Sequence, residues 1–144
     1  MIYPHLPKLA LSILQPWGHS IIHLGKPVEN RDWSTKFRGE IAIHVGQKKD
    51  MSQWRSALQT YRYAGATLEQ LHAFPHFKDL QTGGIIGTVE IVDVVTEMNN
   101  PWFFGDYGFV LANPRPVEFI KVRGALGFFD WRKQWEKDSE RISA

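Results

Sequence analysis

Residues 85–95, IIGTVEIVDVV, form a nearly unbroken β-branched run preceded by the glycine pair Gly83 and Gly84. Side chains of this kind are stiff at χ1 and pack well on a pleated surface, so the run is predicted as a strand. It is too continuously apolar for an edge strand with one wet face and reads as a central one, covered on both sides. Any fold of this chain must therefore supply neighbouring strands on both flanks of 85–95, and helices to cover the sheet.

The flanking segments supply those partners. LALSIL, residues 9–14, reads as a first strand, and RGEIAIHVG, residues 38–46, as another with Ile41, Ile43 and Val45 on one face. YGFVLAN and PVEFIKV read as a hairpin pair joined through NPRP. Pro16 is favourable in a first helical turn and opens a short helix with Trp17, Ile21 and Leu24 on one side, and Gly25 stops it. A second helix is predicted from about Met51, with Trp54, Leu58 and Tyr61 on one stripe. Thr67 to Gln70, TLEQ, fits a capping box, and the tail over about 130–142 reads as a charged helix around Trp131 and Trp135. Four or five strands with helices inserted between them predict an α+β domain built round a small curved sheet or barrel.

A length of 144 residues suits one domain, expected to run over 1–144 with its core over about 9–131. The absence of cysteine excludes disulfides and cysteine-based zinc sites, and with no apolar run near the roughly 18 residues of a membrane span and no signal-peptide pattern, a cytoplasmic protein without a membrane partner is expected. A net charge of +2 permits RNA or DNA as a partner but is below that of a dedicated DNA-coating protein. Neither a Walker-type phosphate loop nor a nucleophile elbow is present, since TGGIIG precedes a strand rather than a helix, and no cofactor is expected. Nothing in the pattern specifies an oligomeric state.

Charge concentrates in LGKPVENRDW, Leu24 to Trp33. In an extended segment Glu29, Arg31 and Trp33 share one face, so Glu29 and Arg31 can pair directly, with Lys26 just past the glycine cap and Arg38 following in KFRG. Two readings are open on spacing alone. The cluster is either an exposed ion pair worth about 0–1 kcal/mol, or the polar wall of a site in which an arginine fork and a tryptophan face hold a nucleobase and phosphate. In the second, a partly desolvated Lys26 could also act as base or nucleophile.

Gln15, Pro16, Trp17, Gly25, Lys26, Glu29, Arg31, Trp33, Arg38 and Gly39 follow one another in an order that resembles the opening half of the ASCH domain. TGGIIGTVEIVDVV and GDYGFVLANPRPVE resemble its later strands, so that the likeness covers roughly residues 9–131. The resemblance implies a PUA-like fold, a small β-barrel with peripheral helices, and a cleft between barrel and first helix that binds RNA or a modified nucleoside. Within that cleft it points to Lys26 and Glu29 as catalytic candidates and to Trp17, Arg31, Trp33, Arg38 and His44 as substrate-binding candidates. Some similar small proteins hydrolyse N4-acetylcytidine with a lysine, a threonine and a distant glutamate, and others resemble single-strand ribonucleases. Lys26 falls on that lysine, but Glu29 stands where the threonine would be; Glu90, Glu97 and Asp106 are the nearest candidates for the distant carboxylate, and Ser20 or Tyr107 for a hydroxyl. An amidohydrolase or ribonuclease is therefore the alternative to a binding module.

Three smaller signals remain. His19 and His23, four apart on the first helix, could share a metal, but no third ligand is evident and no metal site is expected. His44, opposite in phase to Ile43, suits a hydrogen-bonded structural role, with a place in the cleft beside Glu29 open if the strands pair as predicted. Lys48 and Lys49 read as a solvated turn able to touch phosphate from a rim.

Overall fold

In the computed structural model, which describes residues 5–143, six strands form one mixed sheet with four α-helices around it. The strands are β1 (Leu9–Gln15), β2 (Val28–Arg31), β3 (Gly39–Lys49), β4 (Gly84–Val95), β5 (Tyr107–Lys121) and β6 (Phe128–Asp130). The helices are α1 (Trp17–His23), α2 (Met51–Tyr63), α3 (Leu68–His72) and α4 (Trp131–Ser143), with a 3-10 turn at Phe77–Asp79. The sheet order is β2-β5-β4-β3-β1-β6, which places the β-branched run, β4, inside the sheet as its composition requires. Only β1 and β3 run parallel; every other pairing is antiparallel.

Local chemistry accounts for the element ends. Asp50 accepts from Ser52 N to cap α2, and Thr67 and Gln70 form the capping box of α3. Alternation along β3 sends Ile41, Ile43 and Val45 into the main core under α1, with Leu11, Ile13, Ile21, Val89 and Phe109. The opposite phase, including Ala10, Ala42 and Ile85, packs with Phe129 and Trp131 beneath α4. A third cluster joins Tyr61 and Phe74 to Val28 and Trp102. None of the helices among the described residues is long and apolar enough to cross a membrane.

One expectation is corrected. YGFVLAN and PVEFIKV are not a hairpin: residues 107–121 form the single long strand β5, paired with β4 from Val95↔Gly108 to Gly84↔Lys121. The NPRP stretch is absorbed by register shifts within that ladder, and Asn113 adopts φ 54. Prolines are tolerated there because β2 pairs only with residues 107–110, leaving 114–116 on an edge where no amide hydrogen is demanded.

The sheet does not close through backbone hydrogen bonds, since its outermost strands, β2 and β6, do not pair with each other. It curls nonetheless. Arg31 at the end of β2 donates to the Ser12 carbonyl on β1, one residue past the last rung that β1 shares with β6. Next to that contact, Trp33 packs edge-on against Phe128 of β6, with ring centroids 5.5 Å apart.

Close packing across this curl sets a test. A Cβ at Gly87 would lie 2.5 Å from the Arg115 carbonyl and 2.6 Å from Ile22 Cδ1, and the first of these is backbone that cannot swing away. Gly87→Ala is expected to lower stability by about 1–3 kcal/mol in urea denaturation, as overpacked cores do. Gly65→Ala, at a position with open space around its Cβ, should cost only what its φ of +99° imposes. An unchanged midpoint for Gly87→Ala would contradict the packing described.

Candidate functional site

The site is built where α1 ends. Leu24 N and Lys26 N both donate to the Ser20 carbonyl while Gly25 takes φ 76, a turn that a side chain would strain. This reversal sends Lys26 back beneath the helix, where it is 3% exposed. Its ammonium donates to the Val28 carbonyl and lies 3.5 Å from Glu29 Oε1. Glu29 stands opposite Phe109 in the β2–β5 ladder and is 7% exposed. Its other oxygen, Oε2, accepts from Arg31 Nε at 2.9 Å, and Arg31 Nη2 donates to Ser12 O at 2.8 Å. Two cations thus share one carboxylate; Lys26 and Glu29 are buried, and Arg31 is half-buried at the solvent side.

Burial lowers the Lys26 pKa from its ordinary value, with Glu29 opposing that shift and Arg31 adding to it. The amine is consequently easier to deprotonate than a free lysine. Arg31 is partly open, and its Nη1 makes no hydrogen bond to the described residues. A forked donor therefore faces the solvent side of the triad.

Around this charged base lies a cleft of about 400 Å³. Trp17 forms one wall, its indole nitrogen donating to Gln53 Oε1 at 2.7 Å and its ring 5.7 Å from the Lys26 ammonium. Phe104, 60% exposed, forms a second wall, its ring centroid 6.4 Å from that of Trp17 with the planes at 63°. Asn30 holds the loop that carries it: its amide nitrogen donates to Trp102 O at 2.9 Å, and its amide oxygen accepts from Phe104 N at 3.2 Å. Leu14 and the exposed carboxylate of Asp32 complete the rim.

Of the residues singled out in the sequence, Trp17, Lys26, Glu29 and Arg31 converge on this cleft, while Trp33, Arg38 and His44 are absent from its lining. The alternation that put Trp33 beside Glu29 ends with β2 at Arg31, and the indole turns inward between Phe109 and Phe128. Arg38 donates to the carbonyls of Thr35 and Phe37 and lies 3.8 Å from Asp93, on the surface. His44 is buried, its ring held between Ser12 Oγ at 2.8 Å and Val122 O at 2.7 Å. Since a carbonyl only accepts, Nε2 carries the hydrogen in neutral His44, and Nδ1 accepts from the serine hydroxyl. Burial lowers its pKa, against the pull of the Val122 carbonyl.

Neither Glu90, Glu97 nor Asp106 lines the cleft; the carboxylate that joins Glu29 there is Asp32. Ser20 Oγ is committed to the Pro16 carbonyl, and Tyr107 is Arg31's ladder partner. Lys49 is tied to Phe77 O at 2.7 Å, away from the cleft. The rings of His19 and His23 are 4.7 Å apart, and no group of three or more metal-ligating side chains occurs among the described residues. Asn30, Asp32 and Phe104 were missed. The aromatic cluster and glycine of NNPWFFGDYG were a usable signal for Phe104, but a loop more than seventy residues downstream has no local mark of its destination.

Comparison with known proteins now adds to this geometry. A family model described as the ASCH domain matches residues 11–123. Human "Activating signal cointegrator 1" is 32% identical over 117 residues, covering 74% of this chain and 19% of its own length. The mouse protein of the same name is 31% identical over the same share of each. The chain thus spans about a fifth of the length of the curated relatives it matches.

Two outcomes follow from the electrostatics. Glu29→Gln leaves the Lys26 ammonium buried without its countercharge and should cost about 3–5 kcal/mol in urea denaturation. Lys26→Met leaves Glu29 paired with Arg31 and should cost clearly less; equal losses would contradict the shared-carboxylate geometry. His19, pushed down to about 4 by burial and then by His23, gives a second test. The unfolded chain takes up this proton near pH 6.5 and the folded one only near 4, so stability should fall as pH drops through that window. His19→Gln should flatten the pH dependence of Tm, and an unchanged profile would refute the assignment.

Proposed function

This chain belongs to the ASCH domain family, and on that premise we propose that it binds RNA, or a modified pyrimidine nucleoside, in the cleft around Trp17, Lys26, Glu29 and Arg31. The family is generally linked to RNA binding. The observation that carries the reading is the buried Lys26–Glu29–Arg31 triad at the base of a cleft walled by two aromatic rings. Its volume of about 400 Å³ falls in the range of small-molecule sites and suits one nucleoside.

In this reading a base lies against Trp17, whose orientation is held by Gln53, with Phe104 on the adjoining side. Lys26 donates to a base carbonyl or phosphate oxygen, Arg31 offers its outward N–H groups to phosphate, and Glu29 holds both cations in place. Trp33 supports the cleft from the core rather than by contact, and Arg38 and His44 act outside its lining. We read the curled sheet as a PUA-like barrel whose seam is bridged by Arg31 and aromatic side chains, and the chain as one domain of a cytoplasmic protein.

A hydrolase reading is favoured by a separate observation, the depressed pKa of buried Lys26. Such an amine beside a carboxylate can move a proton during hydrolysis of an N4-acylated cytidine or a single-stranded RNA.

Titration of single-stranded RNA and of pyrimidine nucleosides against Trp fluorescence tests the binding claim. Lys26→Met is expected to weaken binding at least about tenfold, the equivalent of about 1.4 kcal/mol. RNA affinity should also fall with salt, with a log–log slope of about −0.7 for each phosphate contacted. Binding that is insensitive to both would refute the cleft reading. Turnover of N4-acetylcytidine or RNA that is lost in both Lys26→Met and Glu29→Gln would establish the hydrolase.

A further inference from the structure

A second concavity, of about 380 Å³, lies beside the carboxyl end of α1, where His23, Leu24 and Gly25 border it. It is lined by His23, Tyr61, Gln70, Asn100 and Trp102, together with the carboxyl end of α2. Tyr61 is 7% exposed, and its hydroxyl makes no hydrogen bond to any described residue, yet it is not a sealed, unpaired atom. Tyr61 is among the residues that line this pocket, which gives its hydroxyl an opening to solvent. Asn100 Oδ1 accepts from Trp102 N at 2.9 Å, and Gln70 Oε1 accepts from Thr67 N at 2.8 Å. A backbone N–H can bond only the amide oxygen, so the orientation of both side chains is settled, and both NH2 groups are left without protein partners.

The pocket is consequently rich in donors and contains neither a lysine, an arginine nor a carboxylate. Donors without a full positive charge select neutral acceptors such as base carbonyls and ring nitrogens. The carboxyl end of α2, with its partial negative charge, disfavours phosphate in the same space. A nucleobase edge or ribose fits this pattern, whereas an anion does not.

The two concavities are coupled in space. Trp17 walls the first and Trp102 lines the second, and their rings meet edge to face at 6.3 Å. The concavities meet at Gly25 and Lys26, while their Trp17 and His23 walls stand about 9 Å apart along α1, a span that roughly three stacked nucleotides cover. Resting on the reading of the cleft as a nucleoside site, we propose that this second pocket takes another nucleoside of the same single strand, through its neutral acceptor edge. The protein then holds a short strand by two bases, with the Trp17–Trp102 pair between them.

Fluorescence titration with uridine monophosphate and with oligouridylates of increasing length tests this in the full chain. Affinity should rise at least about tenfold on going from the mononucleotide to the trinucleotide or tetranucleotide, because the second base binds at high effective concentration. Tyr61→Phe removes only the hydroxyl, and Asn100→Asp keeps the oxygen that accepts from Trp102 N while replacing the donor with a negative charge. Each should abolish most of that gain and leave mononucleotide affinity unchanged. A gain preserved in both variants, or no gain with length in the unaltered protein, would overturn the second subsite while leaving the first. Mononucleotide binding indifferent to Lys26→Met would instead remove the cleft reading, and this inference with it.

Discussion

The carboxylate of Glu29 is the interaction on which the rest of the site depends. It is nearly buried and pairs at one oxygen with Lys26 and at the other with Arg31. Burying any of these charges alone would be costly, so each is kept in place by the others. Arg31, oriented by Glu29, reaches across to the Ser12 carbonyl and ties the end of β2 to β1, which lies four strands away in the sheet. One side-chain network therefore both draws the sheet into a curl and forms the polar base of the cleft. A polar group whose position is set by the curl of the sheet is preorganised, which lowers the entropic cost of any contact it makes.

The aromatic side of the site is assembled by a different kind of contact. Trp17 comes from the first turn of α1 and is held by Gln53 of α2, while Phe104 comes from the β4–β5 connection and is held by Asn30 of β2. Asn30 lies in the phase opposite to Glu29 and Arg31, so a single short strand presents ions on one face and grips a loop with the other. Amides suit that task because one side chain both donates and accepts. Asn100 and Gln70 use only half of that capacity: their oxygens accept from backbone N–H groups and their NH2 groups have no partner among the described residues.

Much of this was legible in the chain because it is governed by local periodicity and capping. The central position of 85–95, the inward phase of Ile41, Ile43 and Val45, the capping box at Thr67 and the glycine stop at Gly25 all rest on interactions within a few residues. The resemblance of the Gln15-to-Gly39 segment to the ASCH domain is likewise a property of order and spacing, and the family match over residues 11–123 agrees with it. The hairpin expected at NPRP failed for a non-local reason. Proline and asparagine signal a turn only when no neighbouring strand holds the chain, and β4 pairs with β5 on both sides of NPRP, so that the turn is reduced to a bulge at Asn113. Trp33 was grouped with Glu29 by phase, which is broken where β2 stops at Arg31; Arg38 was grouped by its nearness in sequence, and His44, open to the cleft by strand pairing, is claimed by Ser12 and Val122.

By itself, then, the sequence determined most of the elements, the inward phase of β3 and the local pairing of Glu29 with Arg31, because side-chain alternation and the positive φ of a glycine act over a handful of bonds. Tertiary structure alone decided that the triad is buried rather than a surface ion pair, since desolvation depends on what β1, α1 and β5 bring over it. It alone joined Phe104 and Asn30 to that triad, and set a second donor-lined pocket behind Trp102. Contacts between residues more than seventy positions apart leave no periodic trace in a single chain, because the packing that creates them is a property of the assembled sheet.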